Sequence, residues 1–259
     1  MIYIADCEEG TASIGNLVAS GDVVPVTCSK FAHVEDAFWR VKRGEVAGVD
    51  MFGWDTMTTM ATTTRHDIIV DPEELGGASL WLHKGKLTAA QRDWGNMSDL
   101  MNRLARMIRS LPIPTVFVCH EGEREDPQTG INKFGPDLNQ AILRDVIAFS
   151  DAMVRLSIAP ESFKAPDGKE YPAGTRVLRL ASNGNAMAKV RVPEDVVVPP
   201  IIADPDFVKL VAALGFVPKK LTIYGASGVG KTRFLGSYVS YLKSLNIKPT
   251  AKTSTKSAA

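Results

Sequence analysis

Short apolar runs that end on polar residues alternate along this chain with stretches in which apolar residues recur at helical spacing. Uninterrupted apolar runs are typical of strands that are buried on both faces of a sheet. Apolar residues three and four positions apart predict amphipathic helices that pack on such a sheet. The pattern therefore predicts an α/β fold, with a mainly parallel central sheet flanked by helices and antiparallel strands at one edge.

The predicted elements follow from this pattern and from its breakers. Strands are predicted at residues 2–5, 23–26, 46–56, 115–119, 153–158, 176–180, 188–193 and 221–224. Helices are predicted at residues 34–41, 93–111, 136–150, 204–214 and 233–245. Pro112 and Pro114 end the strongest of these helices, because proline cannot continue one.

Residues 57–92 show no clear periodicity and predict a long loop, of a length that is usually functional or mobile. Its basic and aromatic side chains suit contacts with a nucleic-acid backbone and stacking on bases, although a solvated loop explains them as well. These side chains are Arg65, His66, Trp81, His83, Lys84, Lys86 and Arg92. Residues 122–135 predict a second charged loop, residues 196–200 a linker, and residues 248–259 a disordered tail.

Composition narrows the class of protein. The chain has 259 residues, of which 45% are hydrophobic and 23% charged, and its net charge of +1 gives no global attraction to nucleic acid. Cys7, Cys28 and Cys119 have no C-x-x-C spacing, which fits thiols in a reducing compartment. No run is long and apolar enough to span a membrane, and residues 1–6 have no basic region, so we expect no signal peptide and a cytoplasmic protein.

The most specific motif lies near the end of the chain and reads G-x-x-x-x-G-K-T. It comprises Gly225, Ala226, Ser227, Gly228, Val229, Gly230, Lys231 and Thr232, which we call the phosphate loop. A predicted strand precedes it and a predicted helix follows it, which is the context that the motif needs. The glycines let backbone N–H groups surround a phosphate, and the helix N-terminus adds its positive dipole end. Lys231 would reach the β- and γ-phosphates and Thr232 would bind Mg²⁺; the alternative is a merely glycine-rich turn.

Polar residues follow three upstream strands. Asp6-Cys7-Glu8-Glu9 follows the first strand, Asp55 closes the run at residues 46–56, and His120-Glu121 follows residues 115–119. The carboxyl ends of parallel strands are where α/β sheets place their chemistry. Asp55 matches a Walker B position that holds Mg²⁺ through water. Asp50 is a competing candidate, and a helix-capping role would also explain Asp55.

Read from residue 221 to the end and then from Met1, the chain resembles the RecA-like ATPases. The likeness is strongest to the phage-encoded RecA-like recombination ATPases that accompany single-strand annealing. It is based on the phosphate loop, Asp6-Cys7-Glu8, Asp55-Thr56, Cys119-His120-Glu121, and the segments at residues 134–138, 151–156 and 188–193. The phosphate loop is specific, and the other motifs are short and persuasive only together.

The resemblance implies a role for each matching residue. ATP and Mg²⁺ would be bound by the phosphate loop with Arg233, and Asp55 would hold the metal shell. Glu8 would polarise the attacking water, with Glu9 as the less favoured neighbour. His120 would sense the γ-phosphate. Lys189 and Arg191 resemble a K-x-R pair that acts in the neighbouring subunit's site, which implies a ring or filament of identical chains; an exposed strand face is the alternative.

The order of the motifs departs from the family, since the phosphate loop follows the segments that it normally precedes. We therefore predict a circular permutation: residues 1–195 form the core, residues 196–220 join, and residues 221–247 complete the same domain. There are two alternatives. The sequence is a fragment of a tandem-domain protein, or its gene is annotated from the wrong start point on a circular genome. Permutation requires both ends of the chain to meet in one sheet.

The expected function is ATP hydrolysis coupled to single-stranded DNA in phage-type recombination or annealing. One rival is a ring helicase or packaging motor. The other is an ATP-gated assembly module that does not hydrolyse ATP. A small-molecule kinase is disfavoured, because no lid segment or acceptor-binding arginine pattern is evident.

Overall fold

A ten-stranded sheet organises the computed structural model of the chain, which describes residues 1–70, 81–83, 86–88, 91–125 and 130–245. For residues 69–70, 81–83, 86–88 and 91–92 it describes only the backbone. The main path of the sheet has the order β13-β11-β8-β14-β6-β3-β1-β2. Its strands are β1 (Ile2–Asp6), β2 (Val23–Thr27), β3 (Met51–Asp55), β6 (Thr115–Glu125), β8 (Ala152–Ile158), β11 (Arg176–Arg179), β13 (Ile201–Ala203) and β14 (Lys220–Gly225).

Six neighbouring strands of this sheet, from β8 to β2, run parallel. At one edge β11 pairs antiparallel with both β8 and β13. Two further strands, β7 (Asn132–Pro136) and β12 (Lys189–Val190), pair antiparallel with β6 and β8. The predicted α/β class, with a mainly parallel sheet and an antiparallel edge, is confirmed.

Short antiparallel pairs lie outside the sheet. They are β4 (Trp81–His83) with β5 (Lys86–Thr88), and β9 (Phe163–Lys164) with β10 (Glu170–Tyr171). The described helices are α1 (Gly15–Ala19), α2 (Phe31–Lys42), α3 (Met57–Val70), α4 (Gln91–Arg109), α5 (Gln140–Phe149), α6 (Phe207–Leu214) and α7 (Lys231–Ser244). Of these helices, none combines the length and the apolar character that a membrane span requires.

Helices cover both faces of the sheet and bury two apolar cores. One core packs side chains of α2, α3, α4 and α5 against one face, and the other packs α6, α7 and residues 10–19 against the opposite face. Because successive strand residues point to opposite faces, Phe52 and Trp54 belong to the first core and Met51 to the second. Burial on both faces explains why these strands are continuously apolar rather than alternating.

The prediction of a loop over residues 57–92 is wrong at its start, where α3 forms 14 helical residues. Threonine is a weak helix former, so the threonine-rich sequence hid this helix. Met57, Met60 and Ile68 are buried in the first core, and this tertiary packing outweighs the local propensity. The side chains of Trp81, His83, Lys84, Lys86 and Arg92 lie outside the described residues.

Several predicted boundaries also need correction. Strand β6 continues to Glu125 and forms a hairpin with β7, so the loop predicted at residues 122–135 is largely paired; residues 126–129 lie outside the described chain. Strand β3 begins at Met51 rather than residue 46. Helix α5 begins at Gln140, because the Asn139 side chain accepts a hydrogen bond from Ile142 N and caps the helix there.

The segment predicted as a joining region contains more structure than expected. Strand β13 follows the predicted linker directly and adds an edge strand to the sheet. Helix α6 begins at Phe207 rather than 204, with Asp206 as its N-cap. Strand β12 is limited to Lys189 and Val190. The tail predicted at residues 248–259 lies outside the described residues.

Candidate functional site

Four parallel strands bring the predicted site residues to one edge of the sheet. Strand β14 lies between β8 and β6, and β3 separates β6 from β1. In the register of these strands Gly225 is opposite His120, and Asp55 is opposite Asp6. The phosphate loop, which follows β14 almost at the end of the chain, therefore lies in the same sheet edge as the residues that follow β1.

The phosphate loop depends on glycine at defined positions. Gly228 and Gly230 have φ of 78° and 92°, in the left-handed region that other residues rarely adopt. A Cβ on Gly225 would lie 2.1 Å from the carbonyl oxygen of Leu156 on β8. Val229 is buried, whereas Ala226 and Ser227 are exposed at the tip of the loop. Packing of β14 against β8 thus fixes where the loop leaves the sheet.

We expect Gly225→Ala to destabilise the protein by about 1–3 kcal/mol, because the backbone of β14 must move away from β8. Urea unfolding gives the free energy of unfolding directly. Gly184→Ala is the matched control, since a Cβ there meets no atom within 4 Å. Equal stability of Gly225→Ala and Gly184→Ala would contradict this reading of the close approach.

Lys231 begins α7 and turns back over the loop. Its Nζ donates hydrogen bonds to Gly225 O and Ala226 O, both at 2.9 Å. No described side chain caps the start of α7, where Gly230 is the N-cap residue. Burial lowers the pKa of Lys231, while the carboxylates of Asp55 and Glu8 partly oppose the shift. A cation and uncapped helix N–H groups at one point are what an anion binds.

Asp55 and Thr232 meet across 177 positions of sequence. Thr232 Oγ1 donates a hydrogen bond of 2.6 Å to Asp55 Oδ2. Burial raises the pKa of Asp55 to about 6, although the bond from Thr232 lowers it. The Asp55–Thr56 peptide bond is cis. The competing candidate Asp50 pairs instead with the amino group of Met1, so Asp55 is the acidic residue at the phosphate loop.

Glu8, in the turn after β1, packs against the start of α3, and three donors converge on one of its carboxylate oxygens. Its Oε1 accepts hydrogen bonds from Thr56 Oγ1 at 2.9 Å, from Thr59 Oγ1, and from His120 Nε2 at 2.5 Å. Partial burial raises the pKa of Glu8, but the bonds from Thr59, His120 and Thr56 outweigh it, so the pKa lies below its ordinary value. Glu8 is thus a carboxylate at neutral pH, and His120 Nε2 is the donor because a carboxylate only accepts.

His120 is tied to α3 by its backbone as well as by its ring. Its N–H donates to Thr58 Oγ1 at 3.0 Å, and that hydroxyl donates to Asp137 O at 3.1 Å. The next residue, Glu121, forms a bidentate ion pair with Arg155 of β8. His120 is therefore linked by hydrogen bonds to α3 and to Asp137, which follows β7.

Lys189 and Arg191 are not brought to this edge. Strand β12 pairs with the first residues of β8, at the opposite edge of the parallel sheet. Lys189 Nζ and Arg191 Nη2 donate to Ile147 O and Ala148 O, each at 2.5 Å. The two cations therefore share one side of the chain, where they cap the C-terminal turn of α5.

Arg233 and a residue that sequence reasoning missed flank the other side of the phosphate loop. Arg233 is exposed on the first turn of α7 and lines a cavity of about 240 Å³ with Arg176 and Asp204. Arg176 Nη1 lies 3.3 Å from the point that a Cβ on Gly230 would occupy, and its Nη2 donates to Asp204 Oδ1. No sequence signal marks Arg176, because strand pairing alone brings it to the loop.

Other contributors were also missing from the sequence prediction. Thr56, Thr58 and Thr59 supply or receive hydrogen bonds at the site because they begin α3. A recognised helix directly after Asp55 would have pointed to them. Gly10 lies against the Asp55–Thr232 pair, since a Cβ there would be 3.1 Å from Thr232 Oγ1.

Comparison with known proteins assigns the chain to no family. A scan against protein-family models gives no match for the chain, and a search of curated proteins gives none either. The described residues contain no group of three or more His, Cys, Asp or Glu side chains arranged to hold a metal ion.

Proposed function

We propose that the protein is an ATP-binding and ATP-hydrolysing RecA-like protein that acts on single-stranded DNA in phage-type recombination or annealing. The observation that carries this proposal is the meeting of three parts at one sheet edge. These are the phosphate loop with Lys231, the Asp55–Thr232 pair, and the carboxylate of Glu8 held by His120. Phosphoryl transfer needs a phosphate cradle, a metal and a group that orients the nucleophile.

The residues present fit ATP and Mg²⁺. The phosphate loop and the uncapped start of α7 offer N–H donors to phosphate oxygens, and Lys231 adds a buried positive charge. Thr232 and Asp55 are the side chains that would hold the metal shell, and their oxygens are of the type that Mg²⁺ prefers. When bound, the metal neutralises charge on the phosphates. Arg233 and Arg176 line the opposite side of the loop.

Glu8 is the group that we assign to the water. Its Oε1 is occupied by three donors, whereas Oε2 has no hydrogen bond among the described residues. Oε2 is therefore the oxygen that orients a water molecule and accepts its proton. Glu9 has φ of 56°, and its carboxylate has no hydrogen bond among the described residues.

The strand order supports the proposed circular permutation. Strand β14 lies at the centre of the sheet, although it is the last strand described along the chain. Its neighbours β6 and β8 both belong to the first 195 residues, so β14 completes their sheet and forms no separate domain.

 The connection from β13 through α6 to β14 packs on the second face of the sheet, so it joins these parts without leaving the domain. We infer that the chain carries a RecA-like core in rotated order.

Lys189 and Arg191 fit the proposal only as residues that act in a neighbouring subunit. They lie at the sheet edge opposite their own phosphate loop, and the Arg191 side chain is exposed. A cation supplied in trans stabilises the charge that develops during phosphoryl transfer. The proposal therefore includes a ring or filament of identical chains that forms with ATP.

The DNA-binding half of the proposal is supported by a platform beside His120. The Arg65 guanidinium lies 4.8 Å from the centroid of the half-exposed Trp94 ring, and both line a cavity of about 260 Å³. Aromatic rings and arginine are the groups on which single-stranded bases stack. Thr58, which accepts the His120 N–H, lines the same cavity and joins it to the site.

We expect ATP turnover to rise when single-stranded DNA is added, and the affinity for DNA to fall with salt. Trp94→Ala should weaken DNA binding by about 1–3 kcal/mol, and Arg65→Gln should weaken it as well, without loss of ATP binding. Trp94→Phe is the matched control, because it keeps an aromatic face. Phosphate release with and without single-stranded DNA tests ATP turnover and its stimulation. The molecular mass of the protein in the presence of ATP tests its assembly.

The outcomes separate the rival classes. Stimulation by duplex rather than single strands, or strand separation, favours a helicase or packaging motor. ATP binding and assembly without turnover favour a non-hydrolysing module. Turnover that single-stranded DNA leaves unchanged removes the recombination role, and absence of ATP binding removes the whole proposal.

A further inference from the structure

Asp6 is a buried carboxylate beside the site for which the proposed chemistry has no direct use. Only 3% of its surface is exposed, and it has no ion pair among the described residues. Its Oδ1 accepts hydrogen bonds from Glu8 N at 3.1 Å and Gly10 N at 3.2 Å. Its Oδ2 accepts from Thr11 N at 3.3 Å and from Thr11 Oγ1 at 2.6 Å.

Burial of the Asp6 carboxylate destabilises the folded protein unless its hydrogen-bond donors stay in place. Burying a carboxylate away from water is unfavourable, and only a set of hydrogen bonds to its oxygens offsets that cost. All four donors belong to the turn that follows β1, so Asp6 determines the path of that turn. The turn includes Glu9 in the left-handed region and Gly10 against Thr232.

The same turn carries Glu8. Asp6 holds its backbone N–H, while the hydroxyls of Thr56 and Thr59 hold its Oε1 from α3. Glu8 is thus held at its backbone N–H and at Oε1, and its Oε2 has no hydrogen bond among the described residues. A shift of the backbone at Glu8 would move Oε2 even where the α3 contacts remain.

We propose that Asp6 is a positioning residue for Glu8: it holds the backbone turn that aims Oε2, and it affects hydrolysis through Glu8. This role rests on the proposed ATPase function. The Asp6 carboxylate has no hydrogen bond to the residues assigned to the nucleotide or to the metal. Its partners are Glu8, Gly10 and Thr11.

Asp6→Asn is the direct test, because the amide keeps the shape of the side chain but turns one acceptor into a donor that faces N–H groups. We expect kcat to fall on the order of 10- to 100-fold, as for a small misplacement of a catalytic group, with KM for ATP changed less than about threefold. Asp151→Asn is a control at the opposite sheet edge, where Asp151 Oδ2 accepts Lys220 N at 2.9 Å. It should leave kcat unchanged.

Two milder substitutions at Thr11 test the same contacts if Asp6→Asn fails to fold. Thr11→Val removes the hydroxyl that donates to Asp6 and should lower kcat in the same direction, whereas Thr11→Ser keeps the hydroxyl and should restore turnover. In single-turnover assays, Asp6→Asn in a Glu8→Gln background should cause little further loss, because groups that act as a unit are not additive.

Each outcome bears on one claim. Wild-type turnover in folded Asp6→Asn overturns the positioning role while the ATPase function stands. So does a loss from Asp6→Asn that is as large in the Glu8→Gln background as in the wild-type protein. Absence of ATP turnover in the wild-type protein overturns the proposed function and this role with it. Equal turnover of Thr11→Val and Thr11→Ser also contradicts the role of the Asp6 contacts.

Discussion

Glu8→Gln is expected to bind ATP with its affinity changed less than about threefold and to lose turnover by about 10²- to 10⁴-fold, the contribution of a general base. The amide oxygen can still accept the bonds that Thr56 and Thr59 donate to Oε1. An NH₂ group replaces Oε2, and it cannot accept a proton. The substitution therefore preserves the fold of the site and removes only the acceptor. Phosphate release and ATP titration of the same sample measure the two effects.

Glu9→Gln is the matched control, because it makes the same chemical change one residue along on an exposed side chain. It should keep turnover near the wild-type value. If Glu8→Gln retains wild-type turnover, the assignment of the water-orienting group is wrong. Loss of turnover in Glu9→Gln alone would transfer that assignment to Glu9.

Lys231→Ala is expected to abolish measurable nucleotide binding, with a fall in affinity of at least about 100-fold, or ~2.7 kcal/mol. Lys231 is buried, and its Nζ holds Gly225 O and Ala226 O over the loop. Its removal deletes the central positive charge of the site and the two bonds that shape the loop. Thermal unfolding with and without Mg-ATP measures this, since a ligand that binds only the folded state raises the midpoint.

Lys243→Ala tests whether loss of any lysine from α7 has this effect. Lys243 lies in the last turn of the helix and pairs at the surface with Asp22. Its removal should leave the ATP-induced rise in the unfolding midpoint intact. An equal rise in Lys231→Ala and wild-type protein would contradict the assignment of the phosphate loop.

Apolar periodicity was sufficient to predict the fold class and most strands. Burial on both faces makes a parallel strand a nearly continuous apolar run, as in Leu221, Thr222, Ile223 and Tyr224, all of which are buried. Helix α4 was equally clear, because its apolar stripe is long and two prolines follow it. These signals are local, so a single sequence carries them in full.

Helix α3 and the β6–β7 hairpin could not be predicted in the same way. The start of α3 is rich in threonine, and it is helical because Met57 and Met60 pack into the first core. Strand β6 continues beyond Cys119 because β7 pairs with its polar half, from Glu121 to Glu125. In both cases a partner distant in sequence decides the local structure.

The sequence by itself determined the strand, loop and helix at residues 221–244, and its glycine spacing with Lys231 and Thr232 is the local pattern that phosphate binding requires. It also marked Glu8, Asp55 and His120 as polar ends of buried strands. Only the tertiary structure decided that Asp55 rather than Asp50 meets Thr232, and that Asp6 holds the turn of Glu8. The reason is that strand order and register, which no local pattern encodes, determine which side chains meet at the sheet edge.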